Sequence, residues 1–80
     1  MTNLEKYKSA FVSSLSIDAK LLESNLEYNT INEWDSIGHM SLISEIENQF
    51  SITMETDDII DFSSFDKGIV ILKKYKIDVK

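Results

Sequence analysis

The stretch W-D-S-I-G-H-M, residues 34–40, stands where the chain passes from loop-like to helix-like composition. On its N-terminal side, Ile17, Leu21, Leu22, Leu26, Ile31 and Trp34 keep no helical period for long, and Asn25, Asn29, Thr30 and Asn32 favour turns. On its C-terminal side, a rotation of about 100° per residue from Ser36 gathers Met40, Leu42, Ile43, Ile46 and Phe50 on one broad arc. Ser41, Ser44, Glu45 and Asn48 fall opposite, and Met40 and Leu42 mark the edges of the apolar stripe. The pattern predicts a helix that opens at Asp35-Ser36 and continues to Phe50. Either Asp35 or Ser36 is its cap, because a short side-chain oxygen at that point accepts from a backbone N–H that has no partner inside the helix. Ile37 does not fit the stripe. It falls among the polar residues directly after Ser36; an isolated exposed Ile is common on protein surfaces, and beside Ser36 it becomes a candidate contact for a partner.

The flanking segments complete a helical chain. Thr2 and Glu5 have the spacing of a capping box, and Leu4, Tyr7, Phe11 and Leu15 recur at intervals of three and four, which predicts a first helix over about residues 3–15. Residues 16–35 then read as a long loop pinned to the core by its apolar side chains. After Phe50, S-I-T-M-E-T alternates apolar and polar residues, as an extended link or a short strand would. Thr56 is the expected N-cap of a short third helix over roughly residues 57–61, with Asp57 and Asp58 at its positive dipole end. Ser63 or Ser64 caps a last helix with an apolar face of Phe65, Ile69, Leu72 and Tyr75, and Lys73, Lys74 and Lys76 occupy its last turns. The expected architecture is all-α, with three longer helices, one short helix and a long loop between the first two, in a single domain over residues 1–80.

Composition narrows the function. A domain of 80 residues has a core worth only on the order of a few kcal/mol in net stability and little room for a large catalytic cleft. The formal net charge is -6, and all eight basic residues are lysines. Between Lys20 and Lys67 the only basic type is His39, while eleven of the acids fall there; Lys67, Lys73, Lys74, Lys76 and Lys80 gather at the end. Such a surface repels nucleic acid and anionic membranes and attracts basic protein patches. It also serves simply as a solvated face. The absence of cysteine excludes disulfides, thiolate metal sites and a thiol nucleophile of the chain itself. M-T-N-L-E-K-Y-K lacks the apolar run of a signal peptide, and Ile69-Val70-Ile71-Leu72 is far too short for a membrane span, so the expectation is a soluble cytoplasmic protein and a monomer.

Over residues 33–72 the chain resembles the acyl carrier protein family, the small phosphopantetheine-binding carriers of fatty acid, polyketide and related pathways. The matching residues are W-D-S-I, the continuation H-M-S-L-I-S-E-I-E-N-Q-F-S-I, and T-D-D-I-I before a last amphipathic helix. Family members usually show D-S-L, so Ile37 is a conservative departure. The resemblance implies a four-helix carrier bundle in which Ser36 receives 4'-phosphopantetheine from coenzyme A, transferred by a separate phosphopantetheinyl transferase that uses magnesium. The arm's terminal thiol would then hold acyl intermediates as thioesters. Ser36 is in this view an attachment point, and the chain is not an enzyme.

The neighbours take roles from the same resemblance. Asp35 either caps the helix or helps the transferase recognise the site and hold its metal. Ile37, Met40, Glu47, Asp57 and Asp58 would form a docking face for basic patches on acyl-loading and acyl-transfer enzymes. Ser41 and Asn48 stand where many carriers have further acids, so charge counts for less along that helix. Ile59, Ile60 and Phe62 would lie near the gap between the second and third helices, where acyl chains are sheltered in this family; core packing explains them equally and is placed first. Trp34 either touches the arm or anchors the loop. His39 is read as a partly buried helix residue, with no ligand cluster for a metal.

Three other functions fit parts of the sequence. Asp35, Ser36 and His39 contain the residue types of a hydrolytic triad but lie within one helical turn, without a G-x-S-x-G elbow. An unmodified acidic adaptor explains the charge but not the match around Ser36. An aminoacyl or peptidyl carrier would share the serine arm, but a short acidic chain favours a free-standing acyl carrier. W-D-S-I in place of the glycine-rich turn common in fatty acid carriers points to a specialised pathway.

Overall fold

Thr2 opens the first helix as its spacing predicts. Its hydroxyl accepts from the Glu5 N–H at 3.1 Å while the Glu5 carboxylate accepts from the Thr2 N–H at 3.4 Å, so two otherwise orphaned donors are satisfied at the start of α1 (Asn3–Leu15). The computed structural model describes residues 2–79 and is all-α over them, with four α-helices, one 3-10 helix and no strand. Met1, and Lys80 of the terminal lysine group, lie outside the described residues. No helix among the described residues is long and apolar enough to cross a membrane.

The segment 16–35, expected as loop throughout, contains a 3-10 helix at Ala19–Ser24, capped by Asp18 through the Lys20 N–H at 3.0 Å. Three residues per turn leave no 3.6-residue signature, and Leu22 is its one buried side chain. The rest of the segment is paired with the junction between the last two helices. Leu26 O accepts from Phe65 N at 2.8 Å, Ser63 O accepts from Tyr28 N at 2.8 Å, and the Asn25 side-chain oxygen accepts from Asp66 N at 2.9 Å. Glu27 and Ser64 form an isolated antiparallel bridge. A long connection is tolerated here because its backbone groups find partners.

α2 (Ser36–Phe50) buries Leu42, Ile43 and Ile46. Met40, expected at the edge of the buried stripe, is 56% exposed, so the stripe ends at Leu42. Gly38 matters for the approach of α2 to its neighbours. A Cβ there would stand 2.1 Å from the Glu33 carbonyl oxygen and 3.1 Å from a Leu15 methyl carbon, which only glycine avoids. Residues 51–55 form a link without strand pairing, closed onto α2 by the Ile52 N–H, which donates to Glu47 O at 3.1 Å.

α3 (Thr56–Asp61) begins one residue earlier than expected. Thr56 is its first helical residue and not its cap; Glu55 flanks it in an extended conformation without a side-chain cap, and its carbonyl accepts from the Asp58 and Ile59 N–H groups. α4 (Phe65–Lys74) is capped by Ser64 through the Lys67 N–H at 3.0 Å. Its buried face is Phe65, Gly68, Ile71 and Leu72, whereas Ile69 and Tyr75, expected on that face, are only half-buried. Gly68 explains the rotation. The face is built around a close approach in which an added Cβ would lie 2.1 Å from the Tyr7 hydroxyl and 2.3 Å from the Phe62 ring.

One cluster of buried side chains joins these elements, with Trp34, Tyr7, Phe11 and Phe62 as its largest fully buried members. Each such side chain contributes roughly 1.5–3 kcal/mol by leaving water. Phe11 meets Trp34 edge-on at 5.3 Å and Tyr7 at 5.1 Å. The Tyr7 hydroxyl donates to Phe65 O at 2.6 Å, and burial, followed by the negative charge of Asp66, pushes its ionisation well above that of an ordinary phenol.

Candidate functional site

Asp35 and Ser36 divide the two roles left open by the sequence. Asp35 is extended, and its Oδ1 accepts from the Gly38 N–H at 2.8 Å, while its carbonyl accepts from the His39 N–H at 2.8 Å. Asp35 is therefore the cap. Ser36 is the first residue of α2 and is exposed, with its Oγ 3.2 Å from the Tyr28 hydroxyl, where either oxygen can donate. The serine hydroxyl is not consumed in starting the helix.

A groove of about 400 Å³ opens beside this hydroxyl. Ser36, His39 and Met40 line it from α2, Tyr28 closes the loop side, and Ile59, Ile60, Phe62 and Ser63 come from α3 and the turn after it. The structure thus brings the three acyl-pocket candidates to one wall, although they differ: Phe62 is 1% exposed and belongs to the core, Ile59 is half-buried and Ile60 is 73% exposed.

His39 forms part of the floor. Indole N–H is only a donor, so the 2.9 Å contact from Trp34 Nε1 fixes His39 Nδ1 as acceptor. The 2.8 Å contact from His39 Nε2 to Ile59 O is then an N–H donation, which defines a neutral Nε2–H ring. Both nitrogens are committed, one to the loop and one to α3, and neither is bonded to Ser36. Trp34 itself is fully buried, as a packing anchor would be, with its ring 6.1 Å from that of His39.

The docking candidates separate into two groups. Ile37 is 79% exposed, Met40 is open, and Asp57 is exposed. Asp58, expected on the same face, is corrected: it is 4% exposed and accepts from Lys74 Nζ and from the Tyr75 hydroxyl, each at 2.5 Å. Those hydrogen bonds, that from Lys74 first, hold its carboxyl below the usual carboxylate range and raise the Lys74 ammonium and the Tyr75 phenol. A helix N-terminal acid that ties α3 to the end of α4 is not available to a partner in this arrangement. Glu47 is half-buried, and its Oε2 accepts from the Met54 N–H at 2.8 Å, so it braces the link after α2. Among the described residues no group of three or more His, Cys, Asp or Glu side chains is placed to hold a metal ion.

No known family model, curated protein or solved structure matches the chain. What the geometry offers chemically is an exposed primary hydroxyl at a helix N-terminus, beside an apolar groove. Tyr28 and Ser63 also belong to this site and were not expected there. Tyr28 lies in a segment without periodicity and reaches the site through its backbone pairing with Ser63, a long-range contact with no local sequence signal.

Proposed function

We propose that the chain is an acyl carrier in which Ser36 holds a 4'-phosphopantetheine arm and presents thioester-bound acyl groups to partner enzymes. The observation that supports this best is the division of labour at the head of α2: Asp35 supplies the cap, which leaves the Ser36 Oγ exposed and free to react. In the modification step Oγ forms a bond to the phosphorus of coenzyme A that carries the pantetheine, the pyrophosphate bond breaks, and adenosine 3',5'-bisphosphate leaves; the hydroxyl proton passes to a base of the transferase. The site fits such a group. The hydroxyl is accessible and the adjacent groove is mainly apolar. When bound, the arm supplies a thiol that a chain without cysteine lacks.

The chain's own residues position that group and receive its partners. Order and length of the helices agree with the four-helix carrier bundle, with α3 as the short member. Met40 and Ile60 are exposed apolar side chains lining the groove, and exposed Ile37 follows Ser36 in the chain, which suits docking of transferase and acyl-transfer enzymes by brief hydrophobic contact. The acidic surface, including Asp57, steers basic partners toward it. The setting this reading takes is a cytoplasmic monomer, and W-D-S-I in place of a glycine-rich turn favours a specialised biosynthetic pathway.

The test is intact-mass spectrometry after incubation with coenzyme A, magnesium and a broad-specificity phosphopantetheinyl transferase. One added phosphopantetheine on the natural chain and none on Ser36→Ala supports the proposal. A folded natural chain that gains nothing makes the unmodified acidic adaptor the better description of the same apolar rim and charge.

A further inference from the structure

We infer that Tyr28 is a phosphate-binding residue of the modified site; this rests on the carrier role of Ser36. The starting observation is the 3.2 Å separation between the Tyr28 hydroxyl and Ser36 Oγ. Before modification either oxygen can donate. After Oγ becomes part of a phosphodiester it has no proton left, so Tyr28 must be the donor, and its acceptors are now the oxygens of an anion attached to the atom it already touches. Hydrogen bonds to a charged acceptor are roughly twice as strong as neutral ones, so the same phenol holds the modified serine more firmly than the free one.

The surroundings make this donor important. The positive end of α2 would ordinarily serve an incoming phosphate, but the Asp35 carboxylate already takes the Gly38 N–H and brings its own negative charge to that end. Neither ring nitrogen of His39 is available, because both are committed to Trp34 and Ile59. Tyr28 is a neutral donor, and its ring is held edge-on to Trp34 at 6.1 Å and to His39 at 5.2 Å. Those two ring contacts restrain the Tyr28 ring on the side away from solvent.

The test uses Tyr28→Phe, which keeps the ring and removes the donor, in both unmodified and modified chains. Intact mass first confirms one phosphopantetheine on natural and variant chains. The 31P resonance of the phosphodiester then shifts between the two modified chains. The loss of folding equilibrium constant caused by the variant is also several-fold greater in the modified chain than in the unmodified one. An identical 31P resonance together with equal losses in the two forms overturns the inference while leaving the carrier role intact. Failure of the natural chain to gain mass overturns the carrier role and the inference with it. If Tyr28→Phe does not fold or gains no phosphopantetheine, the natural chain labelled with 3-fluorotyrosine decides: the 19F resonance of Tyr28 moves on modification more than those of Tyr7 and Tyr75, and no such movement overturns the inference.

Discussion

Removing the Asp35 carboxyl separates capping from recognition. In Asp35→Ala the Gly38 N–H loses its acceptor at 2.8 Å, in the first turn of the helix that presents Ser36. Loss of such a cap costs about 1 kcal/mol, within a range of roughly 0.5–2. For a chain of this length that lowers the melting temperature by about 4–8 °C. Asp35→Asn keeps an oxygen in the same place and loses only the carboxylate's interaction with the helix dipole, about 0.3–1 kcal/mol at low ionic strength and less in salt. At high salt the Asn variant therefore melts within about 2 °C of the natural chain while the Ala variant does not. The assay is thermal unfolding followed by far-ultraviolet circular dichroism, with initial rates of phosphopantetheine transfer measured on the same samples. If Asp35 also serves the transferase, Asp35→Asn loses most of its transfer rate although its fold is intact. Equal destabilisation by both variants at high salt would refute the assignment of Asp35 as a hydrogen-bonding cap.

Two further outcomes follow from the packing. Gly38→Ala brings a Cβ to 2.1 Å from the Glu33 carbonyl oxygen, and the displacement of α2 costs about 2 kcal/mol even after the gain in helix propensity, read as a lower denaturant midpoint. The bond network at Asp58 predicts the shape of the acid limb. Its lowered carboxyl contributes stability that is fully present above the ordinary carboxylate value of about 3.9 and is lost as pH falls through its depressed folded value. Asp58→Asn therefore lowers stability at neutral pH and shrinks the difference from the natural chain under acid, as unfolding midpoints across pH would record; a constant difference at all pH values would refute it.

The amount of this structure legible in the sequence depended on how local each signal was. The capping box at Thr2 and Glu5, the stripe of Leu42, Ile43 and Ile46, and the exposure of Ile37 follow from spacing alone, and each is present. The 3-10 helix at Ala19–Ser24 is invisible to a search for helical periodicity because its period differs from 3.6 residues. The face of α4 differs from its apolar pattern because Gly68 carries no hydropathy, although the approach of Tyr7 and Phe62 depends on its missing side chain. Asp58 reads from the sequence as a surface acid because an acid in a first turn usually faces water, and no local pattern reveals that Lys74 and Tyr75 reach it from sixteen and seventeen residues away. At the site, Ile59, Ile60 and Phe62, expected from the sequence near the gap between the second and third helices, line one groove with Ser36, and Met40, expected on the docking face, lines it too; the pairing that delivers Tyr28 forms between distant segments and leaves no local signal.

The most direct test of the carrier role is a count of thiols. The chain has no cysteine, so every thiol detected after treatment with coenzyme A and transferase, once small molecules are removed, must come from an attached arm. The carrier role predicts none in the untreated chain, a single thiol per treated chain, and none in treated Ser36→Ala. A treated natural chain that remains without a thiol while its circular dichroism reports an intact helical fold would contradict it.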